Sequence, residues 1–159
     1  MSKTKNDLAT KTREAVVKVL NERLADSIDL MMQSKQAHWN VKGANFLALH
    51  ELFDKVVESS EEWIDDIAER AVALGGVAYG TVRVAAKKSN LSEYPLNIGA
   101  GADHVEALSN ALATYGKAIR AAIDTTDKLG DSGTADLFTG ISRDVDKYLW
   151  FVEAHAQSK

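Results

Sequence analysis

Residues 75–101, GGVAYGTVRVAAKKSNLSEYPLNIGAG, contain five of the ten glycines and the only proline of a chain of 159 residues. This stretch separates two pairs of segments whose apolar residues recur at helical spacing. A connection of roughly 25 residues is far longer than the about 2–8 residues that usually join neighbouring helices of a bundle. The stretch therefore restricts the ways in which the helices can be connected.

Two helical segments precede this crossover and two follow it. In the first segment, residues such as Leu20, Leu24 and Ile28 recur every three or four positions, which is the spacing of one helix face. A single proline in the whole chain also favours long uninterrupted helices. The predicted bounds are about Leu8–Val41, Phe46–Leu74, Ala102–Leu129 and Thr134–Ala156.

The other connections are short. Gly43 interrupts the pattern after the first helix, and Asn45 is the predicted N-cap of the second. Ser132 or Thr134 is the predicted cap of the fourth helix, and residues 81–87 are predicted to form a small helix within the crossover. Two short connections around one long crossover are typical of ferritin-like bundles. The predicted fold is therefore an all-α, ferritin-like four-helix bundle.

Length and composition indicate one globular domain over residues 1–159, with residues 1–7 as a short tail. The chain has no cysteine, which excludes disulfides and thiolate metal sites. It has no run of 18 apolar residues, and its first residues lack the apolar stretch of a signal peptide. We therefore expect a cytoplasmic location and no membrane contact.

Four potential metal ligands lie on the second helix. His50 and Asp54 are four residues apart, and Asp65 and Glu69 repeat that spacing. With His50 at zero, the others fall at about 40°, 60° and 100° around the helix, which places all four on one stripe. Asp54 and Asp65 are nevertheless separated by about 16 Å along the axis. One ion cannot bridge them within a single chain.

A two-fold axis between two chains would bring the two pairs of ligands together. The two pairs are symmetric about a point midway between Ser59 and Ser60, so an isologous dimer would place the ligands of one chain opposite those of the other. Imidazole and carboxylate ligands together suit ferrous iron. The same axis also gathers Glu58 and Glu61. Either the helices splay there, or cations lie between them, or the simple crossing is wrong.

The alternative is that these acidic side chains are solvated and that His50 is an ordinary surface or packed histidine. The sequence also lacks any Glu-x-x-His motif, which two helices of the usual intra-bundle di-iron site contribute. A site in the centre of one bundle is therefore not expected.

The residues around this helix resemble the Dps family, the ferritin-like proteins of DNA protection during starvation. The most specific stretch is KQAHWNVKGANF at residues 35–46, followed by His50 and Asp54. The resemblance continues in ERA at residues 69–71, LGG at residues 74–76 and SRDVDK at residues 142–147. It covers nearly the whole chain from about Val16 onward.

The resemblance implies a ferroxidase site that two subunits share. One subunit supplies His38, His50 and Asp54, and its two-fold mate supplies Asp65 and Glu69. His38 enters the set only through the resemblance. Trp39, the next residue, is implied to lie near the iron and to trap radicals, although a packed aromatic residue is the alternative.

The remaining aromatic and histidine residues are not expected in the site. Trp63, Tyr148 and Trp150 fall on apolar helix faces and are expected in the core or an interface. His104 and His155 have no partner at ligand spacing and are expected on the surface.

The resemblance also implies a hollow homododecamer that stores oxidised iron. Fe(II) would enter through acidic three-fold pores, for which Asp127, Asp131 and Asp136 are the candidates, with solvated loop acids as the alternative. The expected activity is that of a ferroxidase that uses hydrogen peroxide (or oxygen, less well), with iron as its metal. The alternative function is a nucleoid-associated protein that binds DNA and oxidises iron secondarily.

Charge argues against tight DNA binding. The formal net charge is −4, so the folded body would repel phosphates unless a local basic patch overrides it. The tail has Lys3 and Lys5 with Asp7 nearby, and the C-terminus has only Lys159. The sequence therefore predicts weak DNA binding at physiological salt, strengthened at low salt or low pH.

Overall fold

The computed structural model describes residues 1–157. Five helices form its framework: α1 (Thr10–Asn40), α2 (Phe46–Ala73), α3 (Val82–Lys88), α4 (Gly101–Lys128) and α5 (Ser132–Glu153). The predicted all-α, ferritin-like bundle with a short helix in its crossover is confirmed. Lys159, noted above for its charge, lies outside the described residues.

The bundle consists of two helical hairpins. α1 packs against α2 and α4 packs against α5, and the hairpins meet through α1 with α4 and α2 with α5. The apolar face of each helix meets the others in one core, whose largest fully buried side chains include Phe53, Tyr115 and Phe138. No helix within residues 1–157 is long and apolar enough to cross a membrane.

The crossover runs along α1 and is attached to it by polar side chains. Asp26 accepts a hydrogen bond of 2.7 Å from the Asn90 backbone N–H. Asp29 accepts one of 2.6 Å from the Ser89 hydroxyl. These bonds satisfy backbone and side-chain groups that have no helical partners, which is why a long loop can lie in one conformation.

One histidine is buried beneath the crossover. His104 is 1% exposed, and its Nδ1 lies 2.8 Å from the Tyr94 hydroxyl. The expectation of a surface histidine at position 104 is therefore wrong, because His104 sits under the crossover at the start of α4. His155 is exposed, as expected.

The N-terminal residues are held against the end of α2. The Ser2 backbone N–H donates a hydrogen bond of 2.6 Å to the Gly75 carbonyl. Arg13 is buried and donates to the carbonyls of Leu8 and Leu74, at 3.1 and 2.9 Å. The side chains of Lys3 and Lys5 remain exposed.

Candidate metal centre

His38 and His50 meet where α1 turns into α2. Gly43, with φ at +110°, lies in the short connection between Asn40 and Phe46, a backbone conformation that favours glycine. The turn stacks the two imidazole rings with their centroids 3.7 Å apart. The histidines therefore come from neighbouring antiparallel helices, which explains why spacing along α2 alone does not reveal His38.

Each histidine is held by the backbone of the other. His38 Nδ1 lies 2.7 Å from the His50 carbonyl oxygen, and His50 Nδ1 lies 2.8 Å from the His38 carbonyl oxygen. A carbonyl only accepts, so both Nδ1 atoms donate their hydrogens. In the neutral rings, both Nε2 atoms therefore keep their lone pairs. This is the usual way in which a second hydrogen bond orients a metal-binding histidine.

Asp54 lies one turn after His50 and faces both α1 and the histidines. Its Oδ1 accepts a hydrogen bond of 2.5 Å from Lys35 Nζ and lies 3.9 Å from His38 Nδ1. The hydrogen bond from Lys35 is the largest of the effects on the pKa of Asp54 and lowers it, whereas burial opposes this shift. The carboxylate is therefore ionised at neutral pH.

Asp65 and Glu69 lie on the far half of α2. Both side chains are exposed. Within residues 1–157, no group of three or more His, Cys, Asp or Glu side chains is arranged to hold a metal ion. The structure thus brings His38, His50 and Asp54 together at one end of α2 and leaves the other two predicted ligands at the opposite end.

The predicted ligands on α2 lie on one stripe of the helix, which is exposed at Asp65 and Glu69. Glu58 and Glu61 are exposed on the same stripe of α2, whereas the opposite side of the helix is buried in the core through residues such as Phe53 and Ile67. A second subunit can therefore approach this stripe without displacing core residues.

The centre of the bundle is filled. Trp63 stacks on Tyr115 with centroids 6.0 Å apart and meets Tyr148 edge-on at 6.3 Å. Ser27 and Tyr115 share a hydrogen bond of 2.6 Å between their hydroxyls. All four long helices contribute to this layer. Aromatic side chains thus occupy the region where an intra-bundle di-iron site would lie.

Two of the three tryptophans are exposed within the single chain. Trp39 is 60% exposed beside His38. This exposure argues against the alternative that Trp39 is a packed residue of the subunit core. Trp150 is 62% exposed, so it does not belong to the core either, whereas Trp63 and Tyr148 are buried.

Asp131 has a structural role within the subunit. It is 3% exposed, and its carboxylate accepts hydrogen bonds from Arg70 at 2.8 Å and from the Thr134 backbone N–H at 3.0 Å. It is therefore the N-cap of α5, in place of the predicted Ser132 or Thr134. Because Arg70 neutralises Asp131 and the carboxylate is buried, the structure does not support the pore role expected for this residue. Asp127 and Asp136 are exposed.

Comparison with known proteins places this geometry in a family. The model of the ferritin-like domain matches residues 17–158. A DNA protection during starvation protein of Agrobacterium fabrum is 47% identical over 157 residues, which are 99% of this chain and 97% of the relative. The chain belongs to the Dps family of ferritin-like proteins.

Solved Dps structures agree with the fold. Dps from Mycobacterium smegmatis matches with a TM-score of 0.94 at 30% identity, covering 99% of this chain and 96% of that chain. Dps from Microbacterium arborescens, in its high iron form, matches with a TM-score of 0.88 at 33% identity, covering 98% of this chain and 99% of that chain. Iron storage and DNA protection are the general functions of this Dps family.

Proposed function

We propose that the protein is a ferroxidase and iron store whose sites lie between two subunits. Each site takes His38, His50 and Asp54 from one subunit and Asp65 and Glu69 from its two-fold mate. The observation that supports it most is the reciprocal bonding of the histidines, which leaves the Nε2 atoms of both neutral rings free to bind a metal, with the ionised Asp54 carboxylate close to His38.

The distribution of ligands along α2 supports the shared site. Two antiparallel copies of α2 that cross midway between Ser59 and Ser60 would bring the histidine end of one helix to the acidic end of the other. The open stripe of α2 is compatible with this approach, and the aromatic side chains that fill the bundle centre favour the interface over the bundle interior. Glu58 and Glu61 would lie near the axis, where cations would offset their charge.

The proposed reaction uses iron as substrate. Two Fe(II) ions each lose one electron, and one hydrogen peroxide molecule accepts both. With two water molecules the products are two FeOOH units and four protons. Imidazole and carboxylate ligands suit Fe(II) and leave coordination positions open for the oxidant.

The reaction would also limit radical damage. Consuming Fe(II) and peroxide together removes the reactants that form hydroxyl radicals, which would protect DNA without direct binding. Trp39, exposed beside His38, is the proposed trap for escaping radicals.

The proposed assembly is a dodecamer that holds the ferric product inside, in the cytoplasm. Twelve copies of 17.3 kDa give about 208 kDa. Asp127 and Asp136 are proposed to line the entry pores, where exposed carboxylates would concentrate Fe(II). DNA binding is proposed to be weak, because the net charge is negative and the tail is held against the body.

A ferrous oxidation assay with peroxide tests the activity. His50→Ala and Glu69→Ala should each lose most of the rate, whereas Glu22→Ala, an exposed carboxylate change on α1, should not. Light scattering should return about 208 kDa for all four proteins. A monomer with full activity would contradict both the assembly and the shared site.

A further inference from the structure

Two large apolar side chains are exposed at opposite ends of α2. Leu47, in the first turn of the helix, is 62% exposed, and Val72, in its last turn, is 57% exposed. Neither belongs to the core, which is packed against the other side of the same helix. Single exposed apolar residues are normal on a protein surface, but two that share a face with a proposed interface indicate a contact.

Both side chains lie on the stripe of α2 that carries the proposed ligands. With His50 at zero, Leu47 falls at about 60° around the helix and Val72 at about 40°. Asp65 and Asp54 fall at the same two angles. The stripe is therefore apolar at both of its ends and charged or polar between them.

The positions of Leu47 and Val72 are symmetric about the same point as the ligands. Leu47 lies 13 residues before Ser60, and Val72 lies 13 residues after Ser59. An antiparallel pair of α2 helices that sets His50 opposite Glu69 therefore also sets Leu47 opposite Val72 of the mate. The apolar residues were not used to find this axis, so they support its register independently. A shift of three residues would instead place Leu47 against the carboxylate of Glu69, which is unfavourable for both groups.

The apolar ends can hold together an interface whose centre carries like charges. Glu58 of one chain lies opposite Glu61 of the other near the axis, and their repulsion opposes association wherever cations do not offset it. Burying Leu47 against Val72 removes apolar surface from water at both ends of the helix pair and favours association. The ends of α2 are thus the places where the interface gains contact without charge repulsion.

We propose that Leu47 of one subunit packs against Val72 of its mate, so that an apolar contact closes each end of the shared interface. The inference rests on the proposed shared site for its axis, and it adds the residues that fix the register of the two helices. Each set of ligands then lies between an apolar contact on one side and the Glu58 and Glu61 carboxylates on the other.

Disulfide cross-linking tests this contact, because the chain has no cysteine of its own. Leu47→Cys and Val72→Cys are combined in one chain, and the assembled protein is treated with diamide, a mild thiol oxidant. Within a chain the two positions are about 37 Å apart along α2, whereas a disulfide requires Cα atoms within about 7 Å of each other. Every cross-link therefore joins two chains. We expect most chains to run as covalent dimers on a denaturing gel without reductant, and none as larger species.

The single variants and a second cysteine pair are the controls. Leu47→Cys alone and Val72→Cys alone should remain monomeric on the gel. After the two are mixed, about half of the chains should form covalent dimers, since random mixing makes half of all dimers mixed. Leu47→Cys combined with Asp66→Cys should not cross-link, because Asp66 is exposed but lies at about 160° around α2, away from the stripe. Light scattering confirms that each variant is assembled before the oxidant is added.

The outcomes separate this contact from the iron chemistry on which it rests. Failure of the double variant to cross-link, a ladder of species larger than dimers, or equal cross-linking of the control with Asp66→Cys would overturn the contact. Any of these results beside a wild type that oxidises Fe(II) would leave the proposed activity intact. Covalent dimers from a protein whose wild type does not oxidise Fe(II) would support the contact and refute the activity.

Discussion

At the scale of single residues, burial decides which polar groups serve the fold and which remain available for chemistry. Asp131 and Asp54 are both acids with a basic partner from another helix. Asp131 is enclosed, with Arg70 and Thr134 bound to it, so it stabilises the start of α5. Asp54 keeps one oxygen open on an exposed face, so it can still bind a cation. A sequence does not distinguish these two environments.

His104 gives a pH-dependent prediction. Burial lowers the pKa of its imidazole, and Asp103 opposes that shift less strongly. The unfolded chain therefore takes up a proton near its ordinary pKa of about 6.5, whereas the folded chain takes it up only at lower pH. The stabilisation is complete above that unfolded value and is lost as the pH falls through the folded one.

The measurement is thermal melting between about pH 7.5 and pH 5, at one protein concentration. The melting temperature of the wild type should fall more steeply toward acid pH than that of His104→Gln, which can still hydrogen-bond Tyr94 but does not titrate. Parallel curves for the two proteins would show that His104 is protonated equally in the folded and unfolded states.

At the scale of helices, the sequence predicts positions better than contacts. Every long helix begins and ends within about three residues of its predicted bounds, because glycines and the helical period of apolar residues are local signals. The reciprocal bonds of His38 and His50 could not be predicted from spacing, because they depend on how the turn at Gly43 aligns α1 with α2. Lys35 shares its helix face with His38, but only the fold brings it to Asp54.

The end of α2 offers a test of close packing. A Cβ on Gly76 would lie 2.5 Å from Val17 Cγ1 and 2.9 Å from the Ala71 carbonyl oxygen. Gly76→Ala should therefore lower the free energy of unfolding by about 1–3 kcal/mol, the usual cost of overpacking. Gly99→Ala is the matched control, since a Cβ there would meet nothing within 4 Å. Chemical denaturation of both variants measures the difference, and equal stabilities would mean that α1 and α2 can separate freely at this point.

The N-terminal segment gives a prediction about DNA. Because Ser2 is bonded to Gly75, we expect the tail to add little to DNA affinity. A gel shift should show weak or absent binding at about 150 mM salt, with tighter binding at lower salt. Deleting residues 2–8 should change the midpoint less than threefold. Tight binding that disappears with the deletion would show that the tail is free to reach phosphates.

At the scale of the whole molecule, the central question is which chains supply each site. The subunit has three of the proposed ligands at one end of α2 and two at the other, and the symmetry of the α2 positions predicts that two copies complete two equivalent sites. The proposed arrangement would make assembly a condition of activity. It also means that lesions at opposite ends of α2 should compensate each other when different chains are combined.

Mixing two inactive variants tests this arrangement. In a mixed dimer of His50→Ala and Glu69→Ala, one shared site receives both lesions and the other receives neither. Random mixing makes about half of all dimers mixed, and one of the two sites in each is intact, so about a quarter of wild-type activity should return. Native mass spectrometry of differently labelled subunits first confirms the mixing. If both residues served one site within the same chain, every site would keep a lesion and activity would stay at the level of the separate variants.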